Sequence, residues 1–247
     1  MSGSVFNRLV KSNSFFESIY RYYRKWKKRR PFVNLTNEEV FTKIYKSNLW
    51  GQGKRMEDGY SGPGSYGFHA ENYINLINDF ILKHDITSIT DIGCGDFAIG
   101  HKITSSNPCL EYNGCDVVQY LIEKNQKLFG SKSIQFYHLD ATRDILPPAD
   151  LLTIREVLQH LSNKNIKKIL DKTSDYKYII ITEHLFPNVH VKKYNKNKPT
   201  GPDIRLIDNS GVYINKPPFN LNCTEILSCR VDAWGKESYL KSFLIIN

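Results

Sequence analysis

The chain has 247 residues, of which 40% are hydrophobic and 24% are charged, the composition of an ordinary globular protein. This length accommodates one α/β domain with some appended structure, and the composition excludes a fibrous or disordered class. No apolar run approaches the roughly 18 residues of a membrane span, and the N-terminus lacks the apolar segment of a secretory signal, so we expect a cytoplasmic protein. The five cysteines form no CxxC pair and have no His partner at zinc-ligand spacing. We therefore expect reduced thiols and no metal site.

The formal net charge of +9 is concentrated at the N-terminus. Residues 1–30 contain nine Lys or Arg and one acid, whereas the rest of the chain contains 25 basic and 24 acidic residues. Because a nucleic-acid-binding face is basic, a nearly neutral body argues against RNA or DNA as a substrate.

In chain order, residues 1–36 come first and are predicted to form a basic, amphipathic helical extension. Their apolar residues recur mostly at spacings of three or four, and the segment runs into KWKKRRP. Three interpretations are open. The helix could pack on the domain and leave its basic end solvated, residues 1–30 could contact an anionic membrane such as the inner membrane face, or the segment could be an RNA-contacting arm.

Residues 37–247 are expected to form the main domain, and its first part is helical with one long loop. NEEVFTKIYK, at residues 37–46, is typical of a short helix. Residues 48–65 contain five glycines and one proline, which predicts a shaped loop. Apolar side chains at helical spacing then predict a helix over residues 66–84.

From there, strand and helix patterns alternate, which predicts a parallel, doubly wound sheet. Strands are expected at Ser88–Ile92, Tyr112–Val118, Ile134–Leu139, Leu151–Ile154 and Tyr178–Thr182, with helices near 98–106, 119–129 and 162–172. Residues 186–222, rich in Lys, Asn, Pro and Gly, are expected to be a loop insertion on the substrate side. Finally, TEILSCRVD and ESYLKSFLII flank the turn AWGK and predict a hairpin.

A ligand site is indicated by TDIGCGDF, from Thr90 to Phe97, at the end of the first strand. Glycines allow close approach of backbone to a ligand, and the helix that follows can donate N–H groups to a negative group. Asp116 ends the next strand about 20 residues later, where an acid can accept hydrogen bonds from both ribose hydroxyls of a nucleoside. A tight turn that binds nothing would use the glycines in the same way. Asp96 either contacts the ligand or caps the following helix.

DIGCGDF resembles motif I of the class I S-adenosylmethionine-dependent methyltransferases, with Asp91 in the place of the acid that opens it. SGPGS (61–65), DIGCGDF and REVLQHLSNKNI (155–166) together are similar to a bacterial subgroup often found among capsule and lipopolysaccharide genes. The resemblance implies an α/β, Rossmann-like fold: a seven-stranded, mostly parallel sheet with a C-terminal β-hairpin and helices on both faces. A dinucleotide oxidoreductase would instead need a third glycine, where this chain has Ala98.

The resemblance also implies S-adenosyl-L-methionine as cofactor and a set of residues that hold it. Asp116 would accept from the ribose, and Asp140 from the adenine amino group. The full set is Ser61, Gly62, Ser65, Asp91, Gly93, Cys94, Gly95, Asp116, Val117, Asp140, Ala141 and Arg155. Trp50 and Tyr60 flank SGPGS and are candidates to line the pocket.

Methyl transfer to a hydroxyl requires a base, and the candidates follow the fourth and fifth strands. Glu156 ends the fourth, and His160 is expected one helical turn farther on the same face. His184 follows Glu183 at the end of the fifth. His160 is the first choice, because a neutral imidazole that titrates near the working pH suits the task. The alternatives are that His160 only packs the helix and that Glu183 caps the next element.

The predicted function is methylation, most simply on oxygen, of a sugar or sugar-linked group in bacterial surface polysaccharide biosynthesis. The alternatives are a methyltransferase that acts on RNA or a small metabolite, and a non-catalytic cofactor-binding protein. The last is disfavoured because Asp91, Gly93, Gly95, Asp116 and Asp140 are all present.

Overall fold

The computed structural model describes residue 23 and residues 26–51 and 60–247. Most of the predicted extension, residues 1–22 with 24 and 25, lies outside this part of the chain; residues 26–29 are helical and lead into a 3-10 turn at Arg30–Phe32. The chain divides into two compact units, Met1–Leu35 and Thr36–Asn247. Among the described residues, no helix is long and apolar enough to cross a membrane.

The second unit contains five α-helices and seven strands among its described residues. The helices are α1 (Asn37–Lys46), α2 (Phe68–Lys83), α3 (Ala98–Ser106), α4 (Gln119–Phe129) and α5 (Asn163–Leu170). The strands are β1 (Ser88–Ile92), β2 (Glu111–Asp116), β3 (Ile134–His138), β4 (Leu151–Arg155), β5 (Tyr178–Leu185), β6 (Thr224–Ala233) and β7 (Lys236–Ile246). Helix α1 begins with a capping box, in which Thr36 and Glu39 satisfy each other's backbone N–H groups.

The strands form one sheet in the order β3-β2-β1-β4-β5-β7-β6. Strands β1 to β5 are parallel, and β7 runs antiparallel to both β5 and β6. The expected seven-stranded, mostly parallel sheet with a C-terminal hairpin is therefore confirmed. The chain reverses its direction across the sheet between β1 and β4, and ligands bind beyond the carboxyl ends of the strands at such a point.

Two apolar clusters cover the two faces of the sheet. In β5, Ile179 packs in the cluster that contains Ile166 of α5, whereas Ile180 packs in the cluster that contains Ile77 of α2. Since neighbouring side chains of a strand point to opposite faces, the helices lie on both faces, as expected.

The chain after β4 departs from the prediction. Glu156 has a φ of +56°, so a helix does not run through it, and only the short 3-10 turn Leu158–His160 follows. The expectation that Glu156 and His160 share one face of a helix is wrong. The predicted helix 162–172 is the shorter α5, which begins after the cap residue Ser162.

Candidate active site

A cavity of about 590 Å³ opens at the carboxyl ends of β1, β2, β4 and β5. Most of the predicted site residues line it: Ser61, Gly62, Ser65, Gly93, Asp116, Val117, Asp140, Ala141, Arg155, Glu156, His160 and His184. Asp91 and Cys94 instead line a smaller cavity, which shares Gly93 and Arg155 with the larger one. Gly95 lines neither cavity and acts through its backbone.

Asp91 braces the sheet below the turn. Its carboxylate accepts hydrogen bonds from the Tyr112 hydroxyl on β2 at 2.5 Å and from the Thr153 hydroxyl on β4 at 2.8 Å. Burial raises the pKa of the Asp91 carboxyl. The carboxylate therefore ties together the three strands that form the floor of the site.

The backbone N–H groups of the turn are used within the protein. The amides of Gly93 and Cys94 both donate to the carbonyl of Cys115, at 2.7 and 3.1 Å. The Gly95 amide donates to a carboxylate oxygen of Asp116 at 3.0 Å, and the buried Asn125 amide donates to the Gly95 carbonyl. The turn is thus held in shape by contacts of its own amides within the protein.

The glycines of the turn are required by neighbouring side chains. A Cβ on Gly93 would lie 2.3 Å from Cγ2 of Val157, and a Cβ on Gly95 would lie 2.3 Å from Oγ of Ser61. Both glycines also have positive φ, +76° and +55°, which side chains disfavour. A side chain at either position would therefore clash with the rest of the protein.

Asp96 fastens the Ser61–Ser65 loop to the turn. Its carboxylate accepts from the Ser61 amide at 3.0 Å and the Tyr66 hydroxyl at 2.9 Å, and its own amide donates to the Ser61 hydroxyl at 2.9 Å. Its other oxygen accepts from the amide of Ala98, at the start of α3. This contact supports the interpretation that Asp96 caps the following helix.

Asp116 is placed to bind a diol. Each carboxylate oxygen accepts one backbone N–H, from Val118 and from Gly95, both at 3.0 Å. A carboxylate oxygen can accept two hydrogen bonds, so one position on each remains for a ligand hydroxyl. Burial raises the pKa of this carboxyl to about 6. The residue therefore fits the ribose of S-adenosylmethionine.

Asp140 is organised by side chains that the sequence did not indicate. The Thr142 hydroxyl and amide donate to its Oδ1 at 2.7 and 2.9 Å, and the Asn37 amide group donates to its Oδ2 at 3.0 Å. Asn37 is the first residue of α1, and no local pattern relates it to a position 103 residues later. Phe41, Tyr45 and Trp50 follow it and supply an aromatic wall to the cavity.

Arg155 links the glycine loop to Glu156. Its guanidinium donates to the carbonyl of Gly64 at 2.6 Å, forms an ion pair with Glu156 at 3.1 Å, and lies 5.2 Å over the ring of Tyr73. The positive φ of Glu156 turns its carboxylate toward Gly64, where a Cβ would lie 2.4 Å from it. Both charged groups therefore belong to one contact between β4 and the loop.

His160 lies in an aromatic environment. Its ring centroid is 4.8 Å from that of Trp50 and 6.5 Å from that of Phe41, and its carbonyl accepts from the Gly201 amide. Burial, with a smaller effect of Lys198, lowers the pKa of the imidazole to about 3. The expectation that His160 titrates near the working pH is therefore wrong, because the charged form is not solvated there.

Glu183 is a structural group. It is fully buried and accepts from the amides of Leu158 and Gln159, at 2.9 and 3.1 Å, at the start of the 3-10 turn. Burial first, and then the charge of Glu156, raise its pKa to about 8. Glu183 therefore holds the turn that follows β4, and not the element after β5 that the sequence suggested.

The insertion 186–222 closes one side of the cavity. Trp50 donates from its indole nitrogen to the carbonyl of Pro202 at 3.1 Å, and Pro202 and Ile204 line the cavity. Arg205, 1% exposed, anchors the segment by donating to the Leu161 carbonyl at 2.6 Å and the Asn163 side chain at 2.8 Å. Buried hydrogen bonds of this kind hold an otherwise irregular segment in place.

The other end of the cavity is formed by residues that the sequence did not single out. His69 of α2 and the hairpin residues Asp232 and Trp234 line it beside Glu156 and His184. Nδ1 of His69 is buried and has no hydrogen-bond partner among the described residues. These side chains come from α2, β4, β5 and the β6–β7 hairpin, so no single stretch of sequence contains a signal for them.

Comparison with known proteins identifies the domain and the fold. Residues 90–176 match the family model described as "Methyltransferase domain". The N-methyltransferase NodS from Bradyrhizobium japonicum WM9, in complex with S-adenosyl-L-homocysteine, has a TM-score of 0.56 at 14% identity, over 85% of this chain and 98% of that one. The N-terminal domain of EvdMO1 with the same ligand has a TM-score of 0.54 at 9% identity, over 86% and 98%. None of the curated proteins matches the sequence significantly.

Together these findings confirm the expected Rossmann-like fold and a methyltransferase domain over residues 90–176. The structural likenesses, at 14% and 9% identity, concern the fold alone. The acceptor of the methyl group must therefore be inferred from the site of this chain.

Proposed function

We propose that this methyltransferase transfers the methyl group of S-adenosylmethionine to a hydroxyl of a sugar or sugar-linked group in bacterial surface polysaccharide biosynthesis. The observation that supports it best is the wall formed by the β6–β7 hairpin. Trp234, at its tip, lines the cavity and is 65% exposed, and Asp232 lines the same wall. An exposed indole beside a carboxylate suits a sugar, whose C–H faces pack on aromatic rings and whose hydroxyls donate hydrogen bonds.

The strand order separates the two halves of the site. Of the acids proposed to hold the cofactor, Asp116 ends β2 and Asp140 follows β3, whereas the hairpin lies beyond β5 on the other half of the sheet. Glu156 and Arg155, at the end of β4, lie between them. The acceptor would thus occupy the hairpin side, with its reacting hydroxyl near β4 and β5.

The residues of the chain would orient the reactants and take up a proton. Bound S-adenosylmethionine supplies a methyl group on a positively charged sulfur. Asp116 and Asp140 would hold the nucleoside end, and the aromatic wall of α1 would exclude water around it. His184 is the proposed base in place of His160, because its ring forms one hydrogen bond among the described residues, to a serine hydroxyl on β7, and lines the hairpin side of the cavity. The other ring nitrogen is left for the acceptor.

The proposed place in surface polysaccharide synthesis is supported by the motifs SGPGS, DIGCGDF and REVLQHLSNKNI, which resemble those of the glycan-associated subgroup. The EvdMO1 domain was also determined in the presence of S-adenosyl-L-homocysteine and D-fucose, with a TM-score of 0.51 at 10% identity. RNA is disfavoured as a substrate, because beyond residue 30 the chain has 25 basic and 24 acidic residues.

The experiment is methyl transfer from labelled S-adenosylmethionine to a panel of acceptors. The panel contains nucleotide-linked hexoses, surface polysaccharide from a deletion strain of the source bacterium, and transfer RNA. We expect label in a sugar-containing acceptor, and a surface glycan of the deletion strain that has lost the mass of one methylene group. Label in transfer RNA alone, or an unchanged glycan, would contradict the proposal.

We also propose that residues 1–30 make peripheral contact with an anionic membrane, where lipid-linked sugars are found. The nine basic residues of this segment support it. Deletion of residues 1–30 should abolish sedimentation with anionic liposomes while S-adenosylmethionine still binds. Liposome binding that survives the deletion would rule out this role.

A further inference from the structure

His184 is connected to the hairpin by a short hydrogen-bond chain. Its Nε2 lies 2.8 Å from Oγ of Ser238, a fully buried serine of β7. The same Oγ lies 2.8 Å from the carbonyl oxygen of Val231, the residue that faces Ser238 across the hairpin. The serine hydroxyl thus stands between an imidazole nitrogen and a backbone carbonyl.

The number of hydrogens fixes the direction of this chain. A carbonyl oxygen can only accept, and a serine hydroxyl has a single hydrogen, so the hydroxyl hydrogen belongs to the contact with Val231. Toward His184 the serine oxygen can then only accept, which requires a hydrogen on Nε2. A neutral imidazole has one N–H, so Nδ1 is left with its lone pair.

The groups around His184 are consistent with a neutral ring. Burial lowers the pKa of the imidazole; the charge of Glu156 acts against this shift, and His69 adds to it. Glu156 follows β4, His69 lies on α2, and Asp232 lines the same cavity from the hairpin. No hydrogen bond to Nδ1 is formed within the described part of the chain, so this nitrogen is available to a hydroxyl bound in the cavity.

We propose that Ser238 is a positioning residue that holds His184 as the Nε2–H tautomer, so that Nδ1 receives the proton of the acceptor hydroxyl. This inference rests on the proposed function. As the acceptor oxygen forms its bond to the methyl carbon, its proton passes to Nδ1, and the bond from that carbon to sulfur breaks with its electron pair left on sulfur. The imidazolium that results returns the proton to solvent.

The direct test is nitrogen NMR of the histidine-labelled full chain, which distinguishes the two neutral tautomers. His184→Asn assigns the signal. We expect the wild type to show Nε2–H, and Ser238→Ala to show a mixture of tautomers. A wild-type ring with its hydrogen on Nδ1, or an unchanged tautomer in Ser238→Ala, would overturn the inference.

Ser242→Ala provides a matched control. Ser242 is also fully buried on β7 and also contacts β5, but through the hydroxyl of Thr182 at 2.8 Å rather than through His184. Ser242→Ala should leave the His184 signal unchanged. If Ser238→Ala fails to fold, the His184 tautomer is compared between the wild type and Ser238→Cys instead.

Steady-state kinetics provide a second measurement, with the sugar acceptor of the panel that the wild type methylates fastest. Ser238→Ala should lower kcat about tenfold, with the KM for the acceptor and the Kd for S-adenosylmethionine unchanged, because only the orientation of the base is altered. An equal loss in Ser242→Ala would show a merely structural effect and count against the inference. Failure of the proposed function would appear separately, as a wild type that methylates no sugar while its tautomer is as expected.

Discussion

The two ends of the cavity differ in how their polar groups are satisfied. At the turn Gly93–Phe97, the amides of Gly93, Cys94, Gly95 and Asp96 all donate within the protein. At the hairpin end, His69 keeps a buried nitrogen without a partner among the described residues, and the Trp234 indole is exposed. Asn125, whose amide holds the Gly95 carbonyl, also keeps a buried side-chain oxygen without a partner among the described residues, so the difference lies in the backbone. The backbone of the turn is fixed by contacts within the protein, whereas the hairpin end presents side chains to a ligand.

The difference has a physical consequence for specificity. A site whose backbone contacts are complete binds a fixed partner without rearrangement of the backbone, which suits a cofactor that is the same in every turnover. Buried polar groups without partners favour a ligand that supplies the missing hydrogen bonds and disfavour one that does not. We infer that the hairpin end, formed by β5, β6, β7 and the start of α2, selects the acceptor.

Substitution of the proposed base should have the largest effect, and it should change catalysis at the hairpin end without changing cofactor binding at the other end. His184→Asn should lower kcat about 100-fold to 1000-fold with little change in the Kd for S-adenosylmethionine, because it removes the proton acceptor and leaves the cofactor end intact. His160→Asn is the comparison, and its kcat should fall less than about tenfold. Steady-state kinetics with the best acceptor of the panel measure both, and a larger loss in His160→Asn would reverse the assignment.

The converse change at the cofactor end is Asp116→Ala. Without the carboxylate, two hydrogen bonds to the ribose are lost and the amides of Gly95 and Val118 lose their acceptor, so the Kd for S-adenosylmethionine should rise about 100-fold. Titration calorimetry measures the effect. The exposed Asp175→Ala serves as control and should bind like the wild type. Unaltered binding by Asp116→Ala would remove this residue from the site.

The rigidity of the turn can be tested through Gly93. Gly93→Ala combines a φ of +76° with a contact at 2.3 Å to Val157, and should lower the free energy of unfolding by about 2–4 kcal/mol. Gly235 has a similar φ, +72°, with nothing near its Cβ position, so Gly235→Ala should cost about 1 kcal/mol. Urea unfolding compares them. Addition of Val157→Ala should restore part of the loss in Gly93→Ala only, and equal losses in the two single variants would show that the contact is unimportant.

The smallest expected effect is the pH dependence of cofactor binding. Burial raises the pKa of Asp116 to about 6, so the carboxyl is ionised above this value and becomes protonated as the pH falls through it. Because the ionised form is the better acceptor for two hydroxyls, the affinity for S-adenosylmethionine should be constant above about pH 7 and decline below about pH 6. Calorimetry over this range measures it. Asp116→Asn should show no such decline, and a wild-type affinity that is constant down to about pH 5 would contradict the assignment.

The fold and the cofactor end could be predicted because their signals are local. Strand and helix patterns alternate along the chain from β1 to β5, and Asp116 ends one of the strands at the spacing of a ribose-binding acid. Small errors remained at element ends. Strand β5 continues to Leu185, beyond the predicted Thr182, since pairing with β7 extends to Tyr239.

The choice among the candidate bases depends less on local sequence, because the properties of a histidine side chain depend on surroundings distant in sequence. His160 looked suitable as an imidazole after a strand, but Trp50 and Phe41 enclose it and burial lowers its pKa to about 3. Local sequence does not distinguish His184 from Glu183 as a candidate base. The difference arises from Ser238, 54 residues later, which contacts Nε2 of His184.

The sequence by itself determined the order of strands and helices, the turn that the glycines allow, and the acids at the ends of β1, β2 and β3, because each depends on neighbours within a few residues or on strand periodicity. Only the tertiary structure decided that Val157 and Ser61 are what make Gly93 and Gly95 necessary. It also decided that Asn37 reaches Asp140 and that the hairpin meets β5. Such contacts join residues separated by as many as 103 positions, and packing of the whole sheet, rather than any local pattern, brings them together.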